Sequence, residues 1–334
     1  MRRMKKWLAG FRGIAILILI AGTLAGFGYA YLKNIPPGLT VRILPAALLE
    51  VLLYFGSGLK QVLSAAAKLP RPVAGLLLWL SALAPYLIYC GGIGAFGGRA
   101  FLTLAVLTAA ASFWFIVFPR SWTADLAFVA LMGGVMLMKV FERYYINEPG
   151  IPELNLEPGV LGQLMWIRVG VTSIRLFRPQ SGVNAGFWPT RKEWKTGALY
   201  FVLFLPVAVV LNGAVHFARF RVASRPWPVE MAVSVATFFG VLWVVAYSEE
   251  FFFRGLLQQW IGAWWRSSML GLIAAAVLFG AAHLWFRHFP NWQFAVLAAA
   301  AGVFYGFAFR QGKGIRAAMV AHALVVTAWK SFFR

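Results

Sequence analysis

Nine stretches of apolar residues recur along the chain, at 13–32, 72–90, 100–118, 123–140, 197–217, 231–247, 269–286, 292–309 and 315–332. Each approaches the roughly 20 residues that a helix needs to cross the ~30 Å hydrocarbon layer of a bilayer. A helix satisfies its backbone N–H and C=O groups within the segment, which hydrocarbon demands. The predicted fold class is therefore all-α: a polytopic transmembrane helical bundle of about eight to ten membrane helices. A tenth stretch, 44–59, is a weaker span because Glu50 stands at its middle.

Composition agrees. The chain is 61% hydrophobic and 12% charged, whereas soluble domains carry about 25% charged residues. The net charge of +21 invites a nucleic-acid reading. Against it, the basic residues are scattered through loops and helix ends, as they are around membrane spans, and no basic groove interleaved with stacking aromatics is present. The expected partners are membrane lipids, with no nucleic acid. Cys90 is the single cysteine, which leaves no disulfide framework and no cysteine-based metal site. The start, MRRMKK, leads into 13–32 without a small-residue cleavage site and reads as an uncleaved first helix.

One loop divides the chain. Residues 142–196 hold five of the ten acids, and within them GVLGQLMWIRVGVTSIRLFR sets Arg168, Arg175 and Arg178 on one side of a helix, with Trp166, Ile167, Ile174 and Phe177 largely elsewhere. This predicts an amphipathic interfacial helix lying among the lipid headgroups; a short span with snorkelled arginines is the alternative. Three regions follow: 1–141, a transmembrane region of unknown role; 142–196, the loop with the interfacial helix; and 197–334, which holds the informative polar residues. Basic residues at the N-terminus and in the loop place both on the cytoplasmic side, while Arg219, Arg221 and Arg225 then fall on the other. A bacterial cytoplasmic membrane is the expected location.

Ionisable groups within a span cost about 2.5–3.5 kcal/mol on the insertion scale and usually mark function. Three helices of the last region carry them. In SEEFFFRG, positions 248–255, Glu250 and Arg254 are i,i+4 neighbours and can pair, while Glu249 points about 100° away. An arginine that holds Glu250 as an anion leaves Glu249 free to exchange a proton, which suits a general base. In LFGAAHL, Phe279 lies one turn before His283, and His322 stands mid-helix in MVAHALVVTAW with no local charge, so it needs a partner from another helix. His216 and His288 read as interfacial. Each feature alone has a bland reading: a capped salt bridge at a helix end, or a hydrogen-bonded packing histidine. Together, one acid and two histidines in a shared pocket could activate water with glutamate and stabilise an oxyanion. They could equally hold a divalent metal through Glu249, His283 and His322.

At these residues the sequence resembles the CPBP family of intramembrane proteases, which includes the type II CAAX prenyl endopeptidases. The motif EExxxR reads as Glu249 to Arg254, FxxxH as Phe279 to His283, and a third motif begins at His322. The likeness covers about residues 230 to 330, including AAAAGVFYGFAFRQGKGIRAAMVAH. It implies that Glu249 activates the attacking water, that His283 and His322 orient the water and the developing oxyanion, and that Glu250, Arg254 and Phe279 support the site. It implies an endopeptidase of glutamate type acting on a CAAX-like or C-terminal sorting-signal peptide, with no cofactor, zinc being the alternative. The family's asparagine four residues after the last histidine is Val326 here; Thr327 and Asn291 are candidates to replace it. Val326 favours a second reading, a non-catalytic binding or scaffold protein that keeps the fold. A transporter reading lacks inverted-repeat symmetry.

Overall fold

The structure is a computed structural model and describes residues 2–145, 158–179, 183, 185–220 and 226–333. Among these it is helical, apart from an isolated antiparallel bridge between Phe220 and Phe333. Eight helices among the described residues are long and apolar enough to cross a membrane, and the chain is a multi-pass integral membrane protein. It divides into two compact units, Met1–Pro179 and Gln180–Arg334.

The first unit contains α1 (Arg2–Leu32), α2 (Pro37–Ser57), α3 (Lys60–Ala66), α4 (Arg71–Ile93), α5 (Gly98–Val117), α6 (Trp122–Leu137), α7 (Val140–Tyr144) and α8 (Gly159–Phe177). Pro37 opens α2 and Pro72 falls in the first turn of α4, where a missing N–H costs no hydrogen bond. Gly94 ends α4 at φ +69°, a left-handed conformation that glycine adopts without steric strain.

The helix expected among headgroups is α8, and the structure corrects that expectation. α8 is buried along most of its length and packs against α2, α4 and α5. Each of its arginines reaches an acceptor on the protein. Arg168 makes two hydrogen bonds to Glu50, Nε–Oε1 at 2.8 Å and Nη2–Oε2 at 2.9 Å, and donates to the hydroxyl and carbonyl of Ser81. Arg175 donates to the Ser57 carbonyl at 2.9 Å, and Arg178 pairs with Asp125 at 2.6 Å. A helical wheel shows the arginine stripe; it does not show that α2 and α6 supply the counter-charges. The same pair accounts for Glu50 within a span: α2 is among the eight membrane-length helices. Residues 146–157 of the expected loop lie outside the described residues.

The second unit contains α9 (Arg191–Val215), α10 (Trp227–Trp264), α11 (Ser268–Ala282), α12 (Trp292–Gly312) and α13 (Ile315–Phe332). Thr190 and Glu193 form a capping box at the start of α9. Glu193 also accepts from Arg316 at 2.9 Å, which ties the first turn of α13 to the first turn of α9. Along the same contact, a Cβ on Gly197 would stand 2.5 Å from the Val320 Cβ, so only glycine lets these helices approach so closely. α13 was expected to span the membrane. It is a helix, but it falls outside the eight, and Ala317–Ala323 along it are all buried. α11, at 15 residues, is also shorter than a span.

The buried pair Glu50–Arg168 gives a stability prediction. Removing one partner strands the other charge, which costs about 3–5 kcal/mol. Arg168→Met should therefore lower the thermal unfolding midpoint in detergent sharply, and adding Glu50→Leu should recover a large part of the loss. Equal and additive losses would contradict a specific pair.

Candidate active site

The two carboxylates sit on α10, a continuous helix with two π-helical stretches, Val241–Val245 and Phe251–Leu257. Between them lies the short α-helical piece Ala246–Glu250. A π turn widens the backbone hydrogen-bond ring and re-aims the side chains that follow, and such turns are frequent at functional sites.

Glu250 and Arg254 are both fully buried and pair as their i,i+4 spacing predicts, with Nε–Oε2 at 3.2 Å and Nη1–Oε1 at 3.2 Å. A buried guanidinium needs its other donors used as well. Arg254 Nη2 donates to the Gly302 carbonyl on α12 at 3.0 Å. Its guanidinium carbon lies 4.5 Å from the Phe279 ring centroid and 5.3 Å from that of Tyr305, within cation–π range. A Cβ at Gly302 would sit 3.1 Å from Arg254 Nη2, so this glycine makes room for the arginine.

His322, on α13, finds the partner that its position requires. Its Nδ1 lies 2.8 Å from Glu250 Oε1. Since Arg254 holds Glu250 as an acceptor, Nδ1–H donates. The other face of the imidazole looks towards Glu249: Nε2 is 3.9 Å from Glu249 Oε2. That is too long for a direct hydrogen bond. Glu249 Oε2 is buried and accepts no hydrogen bond from the described residues, although the side chain as a whole is 30% exposed.

His283 is the C-cap residue of α11, and its Nδ1 lies 2.7 Å from the Phe279 carbonyl, one of the acceptors that a helix end leaves open. A carbonyl only accepts, so here too Nδ1 carries the hydrogen. Phe279 holds the two histidines together: its ring centroid is 4.6 Å from that of His283 and 5.7 Å from that of His322. Both histidines line one cavity of about 230 Å³, whose other walls are mostly apolar, among them Phe204, Leu297, Val325 and Val326. Glu249 is not among the lining residues; it meets the cluster through His322.

Of the residues that might replace an amide at Val326, neither lines the cavity. Asn291 caps α12: Oδ1 accepts from the Phe294 N–H and Nδ2 donates to the Phe286 carbonyl. The Thr327 hydroxyl is buried without a hydrogen-bond partner among the described residues. His216 and His288 are exposed at helix and loop ends and stay out of the cluster. Tyr305 was not foreseen. Its ring stacks on His322 with centroids 4.8 Å apart and planes 12° from parallel. A tyrosine in a run of small and apolar residues carries no sequence signal of its own.

The metal alternative needs three ligands at about 2.0–2.2 Å from one ion. Among the described residues, no group of three or more His, Cys, Asp or Glu side chains is arranged to hold an ion, Glu249, His283 and His322 included.

The site yields a prediction. Arg254→Lys keeps the charge but loses the fork and the stack on Phe279, so the thermal midpoint should fall while the double contact to Glu250 is lost. A lysine variant as stable as the parent would show that the bidentate pair is not needed.

Residues 231–328 match the family model described as Type II CAAX prenyl endopeptidase Rce1-like. No curated protein and no solved structure matches the chain. The matched segment contains Glu249, Glu250, Arg254, Phe279, His283 and His322, so the part of the chain that builds this buried cluster is the part that is similar to that family.

Proposed function

We propose that the protein is an intramembrane endopeptidase in which Glu249 activates water to hydrolyse a peptide bond of a membrane-associated substrate. The observation that carries the reading is the gap between Glu249 Oε2 and His322 Nε2. A buried carboxylate oxygen that accepts no hydrogen bond from the described residues faces an imidazole lone pair across 3.9 Å. A water beside that gap would donate one hydrogen to each. Glu250 and Arg254 then have a supporting role: they fix the His322 tautomer, so that Nε2 accepts.

Glu249 takes one proton of the water as its oxygen bonds to the scissile carbonyl carbon. The carbonyl oxygen becomes an oxyanion. When the tetrahedral intermediate collapses, the C–N bond breaks and Glu249 returns the proton to the leaving nitrogen. In their neutral forms His283 and His322 both present Nε2 as an acceptor, so they orient water rather than bind the oxyanion. This modifies the role that the family resemblance gave them.

The apolar cavity beside the histidines suits a substrate with a lipid chain or bulky apolar side chains next to the cleaved bond. The similarity to prenyl endopeptidases makes a prenylated C-terminal peptide the first substrate to try, and a C-terminal sorting-signal peptide the second. Lipids of a bacterial cytoplasmic membrane are the surrounding partner in this reading. A second reading, a non-catalytic scaffold, draws on Val326, which offers no polar group to the cavity.

Glu249→Gln keeps the shape and removes the base. With internally quenched peptides ending in a prenylated Cys-a-a-X sequence, it should lower the rate by about 10²–10⁴-fold and leave the thermal midpoint within a few degrees of the parent. Undiminished cleavage by this variant would remove Glu249 from the mechanism. A parent protein that cleaves neither peptide class favours the scaffold. Activity lost on strong chelation and restored by zinc would favour the metal variant.

A further inference from the structure

We propose that Tyr305 is a catalytic residue of this site, its phenolic O–H being the hydrogen-bond donor to the oxyanion. The inference rests on the hydrolytic reading above and adds a group that reading lacks.

The need for a donor follows from the tautomers. A neutral imidazole has one N–H. In His283 that hydrogen goes to the Phe279 carbonyl, and in His322 to Glu250. Neither ring then has a hydrogen to give to an anion in the cavity. The carboxylates only accept. Arg254 is fully buried and directed to Glu250 and to the Gly302 carbonyl. Two side-chain amides near the cavity are held in place at both ends, each with one amide hydrogen left over: Asn291 by the Phe286 and Phe294 backbone, and the cavity-lining Asn212 by the N–H and carbonyl of Ala218, each at 2.8 Å. Val326 has no polar group.

Two lining residues have a donor that makes no hydrogen bond to a described residue, the Trp329 indole and the Tyr305 hydroxyl. Trp329 lies seven residues beyond His322, about 10.5 Å along the axis of α13, and is packed among Phe217, Phe286 and Phe294. Tyr305 lies against His322 itself, ring on ring at 4.8 Å. The residue is only 2% exposed, yet its hydroxyl hydrogen-bonds to no described residue and is not sealed off from accessible space. A buried tyrosine hydroxyl normally has a partner. One left open beside the imidazole that would hold the water is placed to take a substrate oxygen. The hydroxyl donates a hydrogen bond that strengthens as the carbonyl oxygen becomes negative, and no proton leaves it.

Tyr305→Phe removes the hydroxyl and keeps the ring that stacks on His322. Assayed on the prenylated quenched peptides beside the parent and Glu249→Gln, it should lower kcat by about 10²–10³-fold, change KM by less than about threefold, and leave the thermal midpoint unchanged. Adding Val326→Asn supplies an amide to the same cavity and should return at least about tenfold of the lost kcat. A kcat for Tyr305→Phe within about threefold of the parent, while Glu249→Gln is inactive, overturns this role and leaves the hydrolytic reading standing. A fall in kcat and thermal midpoint together, with no recovery from Val326→Asn, assigns Tyr305 to packing and also overturns it. A parent that cleaves nothing removes the hydrolytic reading, and the role of Tyr305 with it.

Discussion

Everything at the site depends on one buried ionic cluster. Arg254 and His322 each lie within hydrogen-bonding distance of Glu250, buried among mostly apolar helices. Their charges cannot be left unpaired there, since the effective desolvation cost is several kcal/mol for each ion. Arg254 pairs with Glu250, donates to the Gly302 carbonyl and lies against the Phe279 and Tyr305 rings. Glu250 in turn dictates which nitrogen of His322 bears hydrogen. The chain of cause runs from a glycine that leaves space for a guanidinium to the lone pair facing Glu249.

The cluster also explains the division of labour between adjacent acids. Glu250 is consumed by structure: it is fully buried and contacted by two cations or donors. Glu249, one residue earlier, has a partly exposed side chain and, among the described residues, no cation or donor closer than His322 Nε2 at 3.9 Å. Adjacent positions on a helix point about 100° apart, and here one carboxylate is fully buried while the other is 30% exposed. The first unit shows the same chemistry in a purely structural setting. There Arg168 and Glu50 pair bidentately.

Much of this was legible in the sequence. Apolar run length gave the helical class, and the i,i+4 rule gave the Glu250–Arg254 pair. The spacing of the three motifs along successive helices marked the region that a family model also matches. What stayed hidden were contacts between helices distant in sequence. The stripe of Arg168, Arg175 and Arg178 reads as amphipathic only while Glu50 and Asp125 are not yet known to face it. The partner of His322 is 72 residues away. Asn291 looked free to reach a substrate, but it is bound as a helix cap. Tyr305 has no period, motif or charge to single it out, and its place is visible only once α12 packs beside α13.

The central claim is that water, activated by Glu249, attacks the substrate directly. Single-turnover cleavage in H₂¹⁸O tests it. The account predicts one ¹⁸O atom in the new substrate carboxylate in the first turnover and none in the protein. An unlabelled product from the first turnover, with the label found later in a glutamate of the enzyme, would mean that a carboxylate attacks first and would contradict the account.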